Sequence, residues 1–198
     1  MTGTTVFLPK HIMRLCAIGT LLQEGQMTYR ALAESVRDFS AHLVGPSLDL
    51  MGSSMEVLRY EGLIATVGQT DLQSPSNAES LLHVTAHGTD EFVNLMTTPT
   101  ELTVGDQTKL VITLKVRFLH LLPPETRSRQ AEELADHYEG ALTRLRTLNG
   151  LYEREPGHLS DWLAHDIAQM ERRLDWFRAL ADSVAGDRSA AATDRDGS

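Results

Sequence analysis

The chain has 198 residues, 41% of them apolar and 23% charged, with a formal net charge of −9 at pH 7. That length and composition suit one large or two small folded domains and exclude a disordered chain. No run of about 18 apolar residues occurs, the N-terminal MTGTTVFLPK carries no secretory pattern, and the single Cys16 excludes an intrachain disulfide framework and points to a cytoplasmic location.

Ile12, Leu15, Cys16, Gly19 and Leu22 recur in steps of three and four, which predicts a first helix over 8–23. Cys16 lies inside this apolar segment and reads as a core thiol. Gly25 ends the helix, and Thr28 caps a second one over 28–44, with Ala31, Leu32, Val36 and Phe39 on its apolar side. Gly45-Pro46-Ser47 is a break and restart; Leu48, Met51, Met55 and Leu58 then form the core stripe of a third helix ending near Tyr60. Strand character follows over 63–67 and 81–84, around a polar tip or wing over 68–80. Thr85 caps a fourth helix holding Phe92, Leu95 and Met96.

Residues 106–122 alternate like a strand, Ile112, Leu114, Val116 and Phe118 against Thr113, Lys115 and Arg117. Their length and neighbours favour a buried helix that is apolar nearly all round. After Pro123-Pro124, a long helix carries Ala131, Leu134, Tyr138, Ala141, Leu145, Leu148 and Tyr152 at heptad spacing. Pro156-Gly157 breaks it, and Ser160 caps a last helix with Leu163, Ile167, Met170, Leu174, Phe177, Ala181 and Val184. Two matched stripes joined by a short turn make an antiparallel helical hairpin. The expected fold is mainly α with a small β-hairpin wing: a winged helix-turn-helix over 8–100, a coiled-coil-like helical dimerisation domain over 101–184 and a disordered tail over 185–198.

A winged helix-turn-helix commonly reads DNA. Lys10, Arg14, Tyr29 and Arg30 stand at or near the starts of the first two helices, where such a module meets phosphates. Ser47, Ser53 and Ser54 front the third helix as donors to phosphates or base edges, and Arg59 either touches the backbone or pairs with a carboxylate. Gln69 and Asn77 in the wing could reach a minor groove. Charge weighs the other way: through residue 100 there are five basic residues against ten acidic ones, whereas DNA affinity comes largely from neutralising phosphates. No Walker loop, nucleophile elbow, HExxH or paired CxxC occurs, so no enzyme is expected. His83 and His87 lack further ligands for zinc, and no cofactor or metal is expected. Trp162 and Trp176 share one stripe with Gln169 and read as a subunit interface, or as walls for a flat apolar ligand.

Three stretches, in the right order, resemble the PadR family of bacterial transcriptional regulators. The first is Leu21-Leu22-Gln23-Glu24-Gly25-Gln26-Met27 with Ala31-Leu32-Ala33; the second is Leu58-Arg59-Tyr60-Glu61-Gly62-Leu63-Ile64 with the Thr85-x-x-Gly88 turn. The third is Val116-Arg117-Phe118-Leu119-His120-Leu121-Leu122 and the long helix from Pro124. The resemblance implies a homodimeric repressor on a double-stranded operator, in some members released by a small-molecule effector. It implies a dimer interface built from the C-terminal region, here Leu114, Phe118, Tyr138, Leu145, Tyr152, Trp162, Met170, Leu174, Trp176 and Phe177. Where the family commonly has a tyrosine and a cation on the recognition helix, this chain has Gly52 and Glu56-Val57, and its wing over 69–79 holds no cation. Those departures define the rival expectation, a winged helix that docks a partner protein through an acidic face.

Overall fold

The computed structural model describes residues 7–44, 55–68, 78–99 and 106–196, the last ten as backbone only. The chain divides into two compact units, Met1–Leu122 and Pro123–Ser198.

The first unit is built around α1 (Pro9–Glu24), which opens on a proline in its first turn, where the missing N–H costs no helical hydrogen bond. Ile12, Leu15, Cys16, Ile18 and Leu21 are all buried. Removing such side chains from water stabilises by about 1.5–3 kcal/mol each. The helix packs against α2 (Tyr29–Val44), α4 (Ala86–Thr97), α5 (Asp106–Phe118) and the sheet. Thr28 caps α2 as expected, its Oγ1 accepting from the Ala31 N–H at 3.2 Å.

The sheet has three strands in the order β1 (Met27–Thr28), β3 (Leu81–Val84), β2 (Ile64–Thr66), all antiparallel. The hairpin β2–β3 was expected. Strand β1, with Met27 opposite Leu82 and Thr28 opposite Leu81, is too short for alternation to betray it. It exists because β3 offers a free side, and Tyr29 N–H to Ser80 O (2.9 Å) and Arg30 N–H to Ala78 O (3.0 Å) extend the attachment.

Helix α3 (Met55–Tyr60) ends at Gly62, whose φ of 72° is open to glycine at little cost. Gly62 N–H donates to Arg59 O at 3.0 Å and Leu63 N–H to Leu58 O at 2.9 Å, the paired bonds of a Schellman cap. Buried Leu58 and Leu63 supply its apolar contact. Thr85 then serves two elements. Its hydroxyl donates toward Gly62 O (2.6 Å) and Leu63 O (3.1 Å) and accepts from Gly88 N–H (3.0 Å), capping α4.

Residues 106–121 are helical throughout, α5 running on into a 3-10 turn over Leu119–Leu121. The strand-like alternation does not decide the outcome, because Leu110, Val111, Leu114 and Phe118 all find core against α1 and α2. Residues 106–122 thus lie with the first unit, whereas the expected division near residue 100 placed them with the second. Lys115 is 1% exposed; its Nζ donates to Thr98 O at 2.6 Å, at the carbonyl end of α4 where a cation is favoured.

The second unit is a hairpin of α6 (Pro124–Tyr152) and α7 (Leu159–Asp196). Ala131, Leu134, Tyr138 and Ala141 on α6 and Leu163, Leu174 and Phe177 on α7 are buried. Tyr138 and Phe177 stack with centroids 4.6 Å apart, and Arg146–Glu171 (2.7 Å) and Arg178–Glu139 (3.0 Å) link the helices at the surface. Helix α7 begins at Leu159, so Ser160 lies inside its first turn rather than at the cap. There its hydroxyl donates to Asn149 Oδ1 at 3.4 Å. The helix continues to Asp196, through residues expected to be a disordered tail.

Candidate nucleic-acid interface

The elements that would face DNA are the N-terminal turns of α1 and α2, helix α3 and the wing. Ser47, Ser53, Ser54, Gln69 and Asn77 lie outside the described residues. The remaining five candidates do not form a common cationic surface.

Lys10 is exposed in the first turn of α1. Arg14, one turn on, is turned to the protein: its side chain is 17% exposed, with Nη2 2.5 Å from Glu61 Oε1 and Nη1 3.3 Å from Glu91 Oε1. Arg30 is 60% exposed and pairs with Glu79 at 2.9 Å, at the base of the wing. Tyr29 is half-buried and held through its backbone to Ser80. Arg59 is buried, its Nε 3.2 Å from Glu56 Oε2 on the same helix. Of the expected phosphate contacts, three arginines are therefore paired with carboxylates, and Lys10 and Arg30 present surface to solvent. Arg37, exposed on α2 seven residues after Arg30, adds a cation on that face; its helical spacing from Arg30 was the available signal. Tyr60, 88% exposed at the end of α3, is a second group the sequence reading passed over. A large aromatic just before a helix-ending glycine, off the core stripe, marks it.

Between α2 and α5 a groove of about 520 Å³ is lined by Ser35, Asp38, Phe39, His42, Leu43 and Arg117. The Arg117 guanidinium lies 4.8 Å from the ring centroids of both Phe39 and Phe118, an arrangement in which the aromatic faces attract the cation.

The expected dimer residues divide. Leu114 and Phe118 are fully buried inside the first unit, so they have no surface for a second chain. Tyr138, Leu174 and Phe177 close the core of the helical hairpin, while Leu145 and Met170 are half-buried. Tyr152, Trp162 and Trp176 are 38%, 62% and 51% exposed, as is the neighbouring Leu151 at 75%. The tryptophans do not enclose one cavity: a groove of about 280 Å³ beside Trp176 is lined by Gln169, Arg172, Arg173 and Phe177, without Trp162.

Among the described residues three groups carry shifted acidities, the Tyr138 hydroxyl being raised by burial against the opposing influence of Arg173. Burial pushes the Cys16 thiol up to about 12, against the opposing influence of Arg117. Burial holds His11 below its usual value, helped by Lys10 and Arg14 and opposed by Glu91. A thiol so protonated is a core group rather than a nucleophile. Among the described residues, no group of three or more His, Cys, Asp or Glu is placed to hold a metal ion, and no helix is long and apolar enough to cross a membrane.

Residues 2–181 match the family described as "Putative AphA-like transcriptional regulator". No curated protein is similar enough in sequence to count as a relative. Among solved structures, Bacillus subtilis PadR bound to operator DNA aligns at 16% identity over 87% of this chain and 99% of that one, with a TM-score of 0.34. The same protein alone aligns at 14% identity over 91% and 99%, with a TM-score of 0.36. Its complex with p-coumaric acid aligns at 15% over 90% and 98%, with a TM-score of 0.34.

Proposed function

Since this chain belongs to the family of AphA-like transcriptional regulators, we propose that it acts as a homodimeric repressor binding a double-stranded operator through its winged helix. The observation that carries the reading is the first unit itself. A hairpin wing follows α3 directly, with Thr85 joining the end of α3 to the start of α4. That arrangement is how a winged helix presents one helix to a major groove and a ribbon beside it. Lys10, Arg30 and Arg37 are the cations available to phosphates, with Tyr60 as a neighbouring hydroxyl donor. Three cations per subunit predict modest affinity with strong dependence on salt.

Dimerisation is assigned to the helical hairpin. Leu151, Tyr152 and Trp162 leave an apolar surface around its turn, and exposed aromatics of this kind anchor protein interfaces. A small-molecule effector finds its best-supported site in the α2–α5 groove, where Arg117 offers a cation between aromatic rings.

Purified protein should enrich a pseudo-palindromic fragment from sheared genomic DNA, bound with a log K against log[salt] slope of several units. No enrichment at low salt favours the second reading, an acidic winged helix that docks a partner protein. What supports that alternative is the engagement of Arg14, Arg30 and Arg59 by Glu61, Glu91, Glu79 and Glu56.

A further inference from the structure

We infer that Arg14 is a positioning residue that fixes the C-terminal end of α3 against α1 and α4, and so sets the direction in which α3 is presented. Its guanidinium bridges three elements. It leaves α1, meets Glu61 immediately after α3 at 2.5 Å, and meets Glu91 on α4 at 3.3 Å. Each terminal nitrogen has its own carboxylate, a use of the planar fork that a lysine cannot reproduce.

Glu61 is rigidly attached to the helix it reports on. Its N–H donates to Val57 O at 2.9 Å, and the next two N–H groups close the Schellman cap. A force on the Glu61 carboxylate therefore acts on the helix end rather than on a loose turn. Thr85 holds the same end from the other side through Gly62 O and Leu63 O. Buried Met55 and Leu58 seat α3 on the core, and the two polar anchors fix the tilt of its C-terminal end, which loosens when one is lost.

The arrangement also removes Arg14 from the set of phosphate contacts. One cation beside two carboxylates leaves a local charge of −1, which repels phosphate. At 17% side-chain exposure both ends of the fork are engaged. The partners stand 47 and 77 residues away in sequence, so nothing local announces them.

The inference uses the DNA-binding reading only for its consequence at the groove, and amide exchange tests it without DNA. In the full-length protein, Arg14→Met and the near-isosteric Glu61→Gln should each speed exchange of residues 57–63 by roughly tenfold, equivalent to about 1.4 kcal/mol. The α1 interior should stay protected. Because the Arg14–Glu61 contact is lost in both and Arg14→Met also loses Glu91, the double variant should exchange over 57–63 like Arg14→Met alone. Unchanged exchange over 57–63 in both variants overturns the inference.

On the tightest genomic fragment recovered by selection, both variants should lose on the order of tenfold in affinity with the salt slope unaltered. A slope smaller by about one unit in Arg14→Met would instead mark a lost phosphate contact and overturn it. If the unaltered protein binds no duplex, the DNA reading fails, while the exchange result still decides the role of Arg14.

Discussion

Gly19 on α1 and Phe118 at the end of α5 are fitted to one another: the phenyl ring fills the place that a Cβ on residue 19 would take. Phe118 has no exposed surface and also meets Phe92 edge-on at 6.2 Å. Gly19→Ala should therefore push the ring out of place and destabilise the protein by about 1–3 kcal/mol. Urea unfolding checks it; an unchanged midpoint would mean the helices separate freely.

Thr85→Ala removes a helix cap and two donations to the end of α3 together. Loss of the cap alone costs about 1 kcal/mol, and the Gly62 carbonyl, deprived of its donor, adds to it, whereas Leu63 O keeps the Thr85 N–H at 3.1 Å. Thr85→Ser keeps the hydroxyl and should recover most of the loss in the same unfolding assay. Equal destabilisation by both substitutions would assign the effect to the methyl group.

Cys16 should resist iodoacetamide at pH 8 in the folded protein and react only on denaturation. With its acidity displaced to about 12 from 9.0, the unfolded thiol ionises first as pH rises. The unfolded state then holds fewer protons, so this contribution to stability is present below pH 9 and lost above it. Cys16→Ala should flatten the alkaline limb of a stability–pH curve.

His11 acts at the other end of the scale. The neutral ring accepts the Leu8 N–H on Nδ1 at 3.3 Å, and a protonated ring has no lone pair for that bond. Its pKa lies below the usual 6.5, so the unfolded state takes up the proton first. The stabilising contribution is present above pH 6.5 and is lost as pH falls through the folded value. His11→Gln should remove that acid dependence, as read by thermal melts at several pH values.

Leu151→Ser with Trp162→Ser should convert the proposed dimer to a helical monomer, followed by light scattering and far-ultraviolet circular dichroism. These side chains are 75% and 62% exposed, so the hairpin core stays intact. A persisting dimer would place the interface elsewhere.

The helices were legible because each carries a three- and four-residue apolar period, and Thr28 and Thr85 declare themselves as caps by residue type and position. What the sequence hides is long-range pairing. Strand β1 is two residues whose only signature is the edge of β3. Helix α5 alternates like a strand because Lys115, a charged residue, occupies a core position by reaching the carbonyl end of α4. Heptad spacing marked Leu148 and Tyr152 as core equivalents of Leu134 and Tyr138, yet they are 40% and 38% exposed. Period predicts which side faces inward, and only the partner's reach decides how far along the helix burial extends. The candidate interface was the least legible part. Arginine at a helix start reads the same whether it meets phosphate or, like Arg14, two distant carboxylates.

The three-stranded sheet has a consequence for how copies of this protein can stick together. Its longest strand, β3, is in the middle, and the two outer strands are only two and three residues long. Backbone groups on such short borders give a stray strand little to zip onto, which protects against edge-to-edge aggregation. Within the described sheet, self-recognition through main-chain hydrogen bonds is thereby suppressed, and selectivity in association is left to the side chains of the helices.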